Sequence, residues 1–169
     1  RQRQRGRGSV AGRERLDQGL VSDGIKQLVA VLAEHHGLAS PSPEAGQAAA
    51  AAEMELGKLA SALALEADTS WLDGAHNQLS AGTLDSRLLM PSVILTIKQA
   101  GGRSLVSNAP IQFAFVRGGG ILAGAVNTSD FGQANCVIAS FDNAGAEQIV
   151  RASLVFRVGG FAYAFKGVE

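Results

Sequence analysis

The chain holds 169 residues, 46% of them hydrophobic and 18% charged, with fifteen basic residues balancing fifteen acidic ones. That is enough apolar material for a sizeable core, which excludes wholesale disorder, and no run approaches the roughly 18 apolar residues of a membrane-spanning helix. The single cysteine, Cys136, excludes an internal disulfide, a zinc site of several thiolates and a CxxC redox pair. The neutral total is unevenly spread: residues 1–15 carry +5, residues 16–90 carry −7 and residues 91–169 carry +2. Neither an initiator Met nor a signal-peptide pattern stands at the start, so Arg1 is expected to follow a processing or excision point.

Residues 1–12 begin Arg-Gln-Arg-Gln-Arg-Gly-Arg-Gly-Ser and show no apolar periodicity, which predicts a disordered Arg-rich arm. Arginines at this density suit phosphate backbones, yet no aromatic residue lies among them to stack on bases. A solvated tail is therefore the favoured reading, ahead of nucleic-acid binding.

Residues 13–90 read as a helical hairpin with a linker. Leu16, Leu20, Val21, Ile25, Leu28, Val29 and Leu32 recur at three- and four-residue steps up to His36. Gly19 and Gly24 each cost about 1 kcal/mol in a helix interior, so Ser22-Asp23-Gly24 is expected to form a turn between a short and a longer helix. Gly37 is expected to close the second of these. After the break at Ser40-Pro41, Ser42 is the predicted N-cap of a helix from Pro43 to Glu66, with Glu44 in its first turn. Ala45, Ala48, Ala52, Leu56, Leu59 and Leu63 form its apolar stripe. A short turn bearing Trp71 follows, then a linker over 75–91 anchored by Leu79, Leu84, Leu88, Leu89 and Met90.

From residue 91 the period changes to two. Val93, Leu95 and Ile97 alternate, as do Ile111, Phe113 and Phe115. Ile121–Val126 reads as one short strand; Ala134, Cys136 and Ile138 share a face. Val150, Ala152, Leu154, Phe156 and Val158 lie opposite Arg151, Ser153 and Arg157, and Phe161, Tyr163 and Phe165 alternate with Ala162, Ala164 and Lys166. About seven short strands with Gly/Asn/Asp turns predict an antiparallel sandwich over 91–169.

Within it, Asn108-Ala109-Pro110-Ile111-Gln112-Phe113-Ala114-Phe115 is similar to the N-x-P-V-x-F-x-F strand of bacterial Ig-like domains of the invasin/intimin (Big-1-like) type. Gly118-Gly119-Gly120-Ile121-Leu122 resembles their G-x-G-x-L turn. Thr128-Ser129-Asp130-Phe131-Gly132-Gln133-Ala134 resembles their T-D-x-x-G-x-A turn, with Ser129 as a departure, and Val150-Arg151-Ala152 resembles the V-x-A strand that follows. The likeness covers residues 92–157 and implies an Ig-like β-sandwich; it implies little about function. The strand Phe161–Phe165 lies beyond the family's usual last strand, and is expected to pair either with its own sandwich or with a neighbouring chain. The helices resemble more weakly the tetratricopeptide-like helices of bacterial envelope lipoproteins.

No catalytic constellation accompanies these elements. His35 and His36 point about 100° apart on a helix, and His76 has no carboxylate motif around it. Asn127, Asp130 and Asp142 are too few to make a calcium site, and Cys136 is in phase with core residues. No serine sits in a GxSxG elbow. Together these readings predict an α+β chain, a helical hairpin followed by an Ig-like sandwich, with no cofactor or metal. The expected role is a non-enzymatic structural or assembly protein of the bacterial envelope, periplasmic or at the outer membrane, acting through protein–protein contacts or self-assembly. The rivals are an adhesin or surface-display module, and nucleic-acid binding by the arm. Trp71, Phe161, Tyr163 and Phe165 are the candidate interface anchors. Residues 92–157 are expected to fold on their own.

Overall fold

The computed structural model describes residues 10–68, 91–143 and 145–168, with the backbone alone over residues 10–19. Two helices precede a set of antiparallel sheets, an α+β arrangement. Most of the predicted Arg-rich arm, the turn bearing Trp71, His76 and the linker leucines lie outside the described residues.

Helix α1 runs unbroken from Val10 to Gly37, so it takes in the last residues of the predicted arm and passes through the turn expected at Ser22-Asp23-Gly24. The reason is tertiary. Ser22 is buried and its hydroxyl donates to the Ser107 carbonyl at 2.7 Å. Ile25, Val29 and Leu32, which follow at helical spacing, are each 2% exposed or less. Burying three such side chains is worth several kcal/mol, against about 1 kcal/mol for each helical glycine.

Helix α2 spans Pro43–Ala62 and starts as its sequence predicts: Ser42 Oγ accepts from the Ala45 amide at 3.2 Å, and Glu44 lies in the first turn. Its buried residues are Ala49, Ala52 and Leu56, so the apolar stripe is shifted from the predicted Ala45 and Ala48. The helix also ends four residues before the expected Glu66. Leu63 leaves it at φ −77°, ψ 139°, and Leu63–Asp68 form strand β1 with no intervening loop. These residues are good helix formers, but as a strand they pair over six positions with β2 (Ser92–Gln99), setting Leu63, Leu65 and Ala67 opposite the buried Ile97, Leu95 and Val93.

β2 is the centre of the first sheet. β1 covers one side; β3 (Gly102–Leu105) and β7 (Gln133–Asn135) share the other. The chain segments meet at Leu95, whose amide donates to the Gly132 carbonyl at 2.8 Å and whose carbonyl accepts from Val106 at 3.0 Å. Asp68, Ser92 and Gln133 close the far end: Ser92 Oγ and Gln133 Nε2 donate to Asp68 Oδ2 at 3.0 and 3.1 Å.

The second sheet has the order β10-β9-β4-β6, with β10 Phe161–Ala164, β9 Ile149–Val158, β4 Pro110–Arg117 and β6 Ala125–Asn127. The single strand expected over 121–126 is divided. β5 (Gly120–Leu122) pairs with β8 (Ile138–Phe141) in a separate two-stranded sheet, and β6 pairs with β4. Between them Ala123 donates to the Val137 carbonyl and Gly124 accepts from Phe113, so Ala123-Gly124 carries the chain from one sheet to the other.

The corner before β4 organises one end of this sheet. Asn108 has φ 54°, the left-handed region in which asparagine is enriched, and its side chain accepts from Asn127 Nδ2 at 3.0 Å. Buried Thr128 accepts from the Ala109 amide and donates to the Val106 carbonyl, at 2.9 and 2.8 Å. Ser22 of α1 binds this same corner. The helical hairpin thus bridges the sheets: α1 contacts β9 and β10, α2 contacts β1 and β2, and the buried side chains of helices and sheets form one continuous cluster.

Two outcomes follow from these contacts. Ser22→Ala leaves the Ser107 carbonyl without its buried donor and is expected to cost about 1–2 kcal/mol in denaturant unfolding, whereas Ser61→Ala, which removes an exposed bond to Gly57, should change stability by less than about 0.5 kcal/mol. A fragment beginning at Pro91 loses β1 and the hairpin together, leaving β2 without its outer neighbour. It is expected to unfold without a cooperative transition, contrary to the autonomy expected of residues 92–157, and calorimetry of that fragment checks it.

Candidate functional site

The β9–β10 hairpin places most of the residues singled out in the sequence. Gly159 and Gly160 make its two-residue turn, Gly159 at φ 57°, where a β-carbon is unfavourable. Phe161, Tyr163 and Phe165 then fall on one face. Phe161 stacks on His36 of α1, ring centroids 5.0 Å apart and planes 19° apart. Phe165 is buried, with edge-to-face contacts to Phe156 at 6.3 Å and Tyr163 at 5.1 Å. The strand pairs with its own sheet, so the three aromatics lie against α1 and the core. Trp71, the fourth candidate anchor, lies outside the described residues.

Pairing continues past β10: Phe165 donates to the Leu154 carbonyl at 2.9 Å, and Val168 and Ala152 exchange a pair of bonds at 2.8 Å. β9 is therefore bonded to β4 on one side and to residues 161–168 on the other. Because Phe165 turns its amide toward β9, the main-chain groups of Ala164 and Lys166 turn the opposite way. β10 ends its sheet, and among the described residues no strand pairs with that outer edge.

Away from that edge, between α1 and strands β9, β4 and β6, lies an open cleft of about 590 Å³, lined by Ser22, Asp23, Lys26, Gln112, Asn127 and Arg157 among others. The Arg157 guanidinium donates to Gln112 Oε1 at 3.2 Å, and the Asn108–Asn127 amide pair forms part of the wall. The lining includes the buried residues Ile111 and Phe156. The cleft has two cations to one carboxylate and no pair of groups that would serve as nucleophile and base. The alternation of β9 already set Arg157 on its outward face, but nothing local set Lys26 on the wall of the same cleft, because that depends on how α1 docks.

The remaining candidates are dispersed. His35 and His36 touch edge-to-face at 5.8 Å, and His36 is engaged by Phe161. Asp130 lies on the exposed turn 129–132. There the side chain that binds the turn is Ser129, whose hydroxyl accepts from the Phe131 amide at 3.2 Å. Asp142 sits beside Gly119, bonded to it through the main chain. Among the described residues no three His, Cys, Asp or Glu side chains converge as a metal site. No helix among them is long and apolar enough to cross a membrane. Cys136 is fully buried between β7 and β8, its amide donating to the Pro91 carbonyl at 2.8 Å. No protein family, curated protein or solved structure matches the chain.

Burial pushes the Cys136 thiol up from 9.0 to about 11 because the thiolate loses its hydration. Native protein at pH 8 is expected to react with a thiol-specific disulfide reagent only at the rate of unfolding, and at once in denaturant; rapid native labelling would contradict the buried geometry. The linkage has a definite sign. The neutral thiol contributes fully to stability below pH 9.0, and its contribution is lost as the pH rises toward 11. Cys136→Ala should flatten that part of the stability profile.

Proposed function

We propose that this chain is a non-enzymatic assembly module that joins protein partners by strand addition at the outer edge of β10. The observation that carries the reading is the composition of that edge. From Phe161 to Phe165 it contains no charged residue, no proline and no bulge, three of the devices by which sheet proteins blunt an exposed edge. Its inward face is anchored by Phe165 and by the His36–Phe161 stack, so the strand is held in position to receive another. Main-chain bonds would supply affinity, and the flanking side chains specificity.

The finer parts of this reading rest on sequence resemblance. The segments that carry the invasin/intimin-like resemblance are all turns or strand starts: the N-x-P segment opens β4, the triple glycine joins β4 to β5, and the Asp-Phe-Gly turn, with Gly132 at φ 66°, enters β7. Such sandwiches suit a structural role in a bacterial envelope, and that is where we place the protein.

Removing residues after Arg157 would strip Phe165 from the core, so truncation is an unsuitable test. Ala164→Pro removes one outward N–H and leaves the aromatic face intact. The variant is expected to keep its melting temperature within a few degrees while losing partners that the parent protein retains from bacterial envelope extract. Identical partners for both proteins would sink the strand-addition reading.

A further inference from the structure

The cleft between α1 and strands β9, β4 and β6 is uneven in its hydrogen-bonding groups. Gln112 Oε1 accepts from the Arg157 guanidinium, and Asn108 Oδ1 accepts from Asn127 Nδ2. Both of these amide oxygens are occupied, while the matching nitrogens, Gln112 Nε2 and Asn108 Nδ2, have no acceptor among the described residues. Arg157 keeps its other N–H groups, and Lys26 has no ion pair or hydrogen bond from its side chain among those residues. The hydroxyl hydrogen of Ser22 is already given to the Ser107 carbonyl. The charged and amide acceptors left on the wall are the Asp23 carboxylate and Asn127 Oδ1.

Charge points the same way. Lys26 and Arg157 stand against Asp23 alone, so the lining carries a net positive charge. Pro110 and Val155, both half-buried, add an apolar stretch of wall beside the donors. Asn108 is also the only non-glycine residue at positive φ among the described residues, at 54°. Such a conformation is uncommon outside glycine and persists where the surroundings hold it. Here the bond from Asn127 fixes the Asn108 amide with its oxygen occupied and its nitrogen free to donate. A surplus of donors in a net cationic cleft is matched by a ligand of the opposite inventory.

We infer that this cleft binds a small oxygen-rich acid: a molecule with one carboxylate or phosphate group and several hydroxyl or carbonyl oxygens on its frame. The anionic group pairs with Arg157 and Lys26, and the frame oxygens accept from the amides of Asn108 and Gln112. Hydroxyl groups on the frame donate to Asn127 Oδ1 and Asp23. A volume of about 590 Å³ falls within the range of small-molecule sites. The cleft is lined by no residue of β10, so it is separate from the strand edge, and neither reading depends on the other.

Titration of the isotope-labelled full chain, followed by NMR at the side-chain amides of Asn108 and Gln112 and at Arg157 Nε, tests this. Glucuronate and glycerol phosphate serve as the carboxylate and phosphate probes, with glucose and acetate as controls. At least one of the two acids is expected to shift those resonances saturably and to bind at least about tenfold more tightly than either control. Whichever acid binds more tightly identifies the anionic group. Arg157→Met and Asn108→Gly, the latter retaining the left-handed backbone, are each expected to weaken binding by about tenfold. Asp23→Asn removes the one carboxylate of the lining and should strengthen binding several-fold. No saturable shift with either acid overturns the site. Glucose bound as tightly as the acids overturns the anionic group, and acetate bound as tightly overturns the oxygen-rich frame. Binding left unchanged by Arg157→Met, or weakened by Asp23→Asn in a chain still folded by circular dichroism, places the acid elsewhere and overturns the assignment.

Discussion

The packing of α1 along one apolar stripe is the interaction on which the rest depends. Ile25, Val29 and Leu32 bury completely or nearly so, and the hydroxyl of Ser22 fixes the helix to the corner that opens β4. That contact sets the helix beside β9 and β10, supplies His36 for Phe161, and sets Lys26 on the cleft that Arg157 also lines. α2 then lies where it can feed directly into β1. A hairpin of two helices seldom stands alone in water, since most helical stability comes from burying an amphipathic face. Here the sheets provide that burial, and the helices return it by contributing side chains to the same core.

β1 shows how strongly this arrangement overrides local preference. Leu63-Ala64-Leu65-Glu66-Ala67 would extend α2 by more than a turn in isolation. In the folded chain the same residues gain a six-position ladder with β2 and place alternate side chains opposite Ile97, Leu95 and Val93. Two half-buried leucines and a full set of cross-strand bonds outweigh propensities of a few tenths of a kcal/mol per residue. The sheet that began as a property of residues 91–169 is therefore completed by the segment before it.

The second sheet separates two roles by face. Its inner residues, among them Ile111, Phe113, Leu154 and Phe156, are core. Its outer residues include Gln112, Ala114, Arg151, Ser153, Val155, Arg157, Ala162 and Ala164, with no acid in the strands. A sheet needs only one apolar face to be stable, which leaves the other free to carry charge of one sign. The aromatic residues of β10 belong to the inner face, so any partner must read the strand's edge and its outer side chains.

The alternation of apolar residues was sufficient to place β2, β4, β9 and β10, because a period of two is a local property of the chain. The same holds for the Ser42 cap, the glycine turns and the burial of Cys136. Tertiary structure decided whatever depended on a distant partner: the continuity of α1 through Gly24, the conversion of 63–68 to strand, and the division of 121–126 between two sheets. It also decided that Lys26 and Arg157 line one cleft. Each of these turns on burial or hydrogen bonding between residues far apart in sequence, as with Ser22 and Ser107, and a helix or strand period carries no information about which distant surface will cover it.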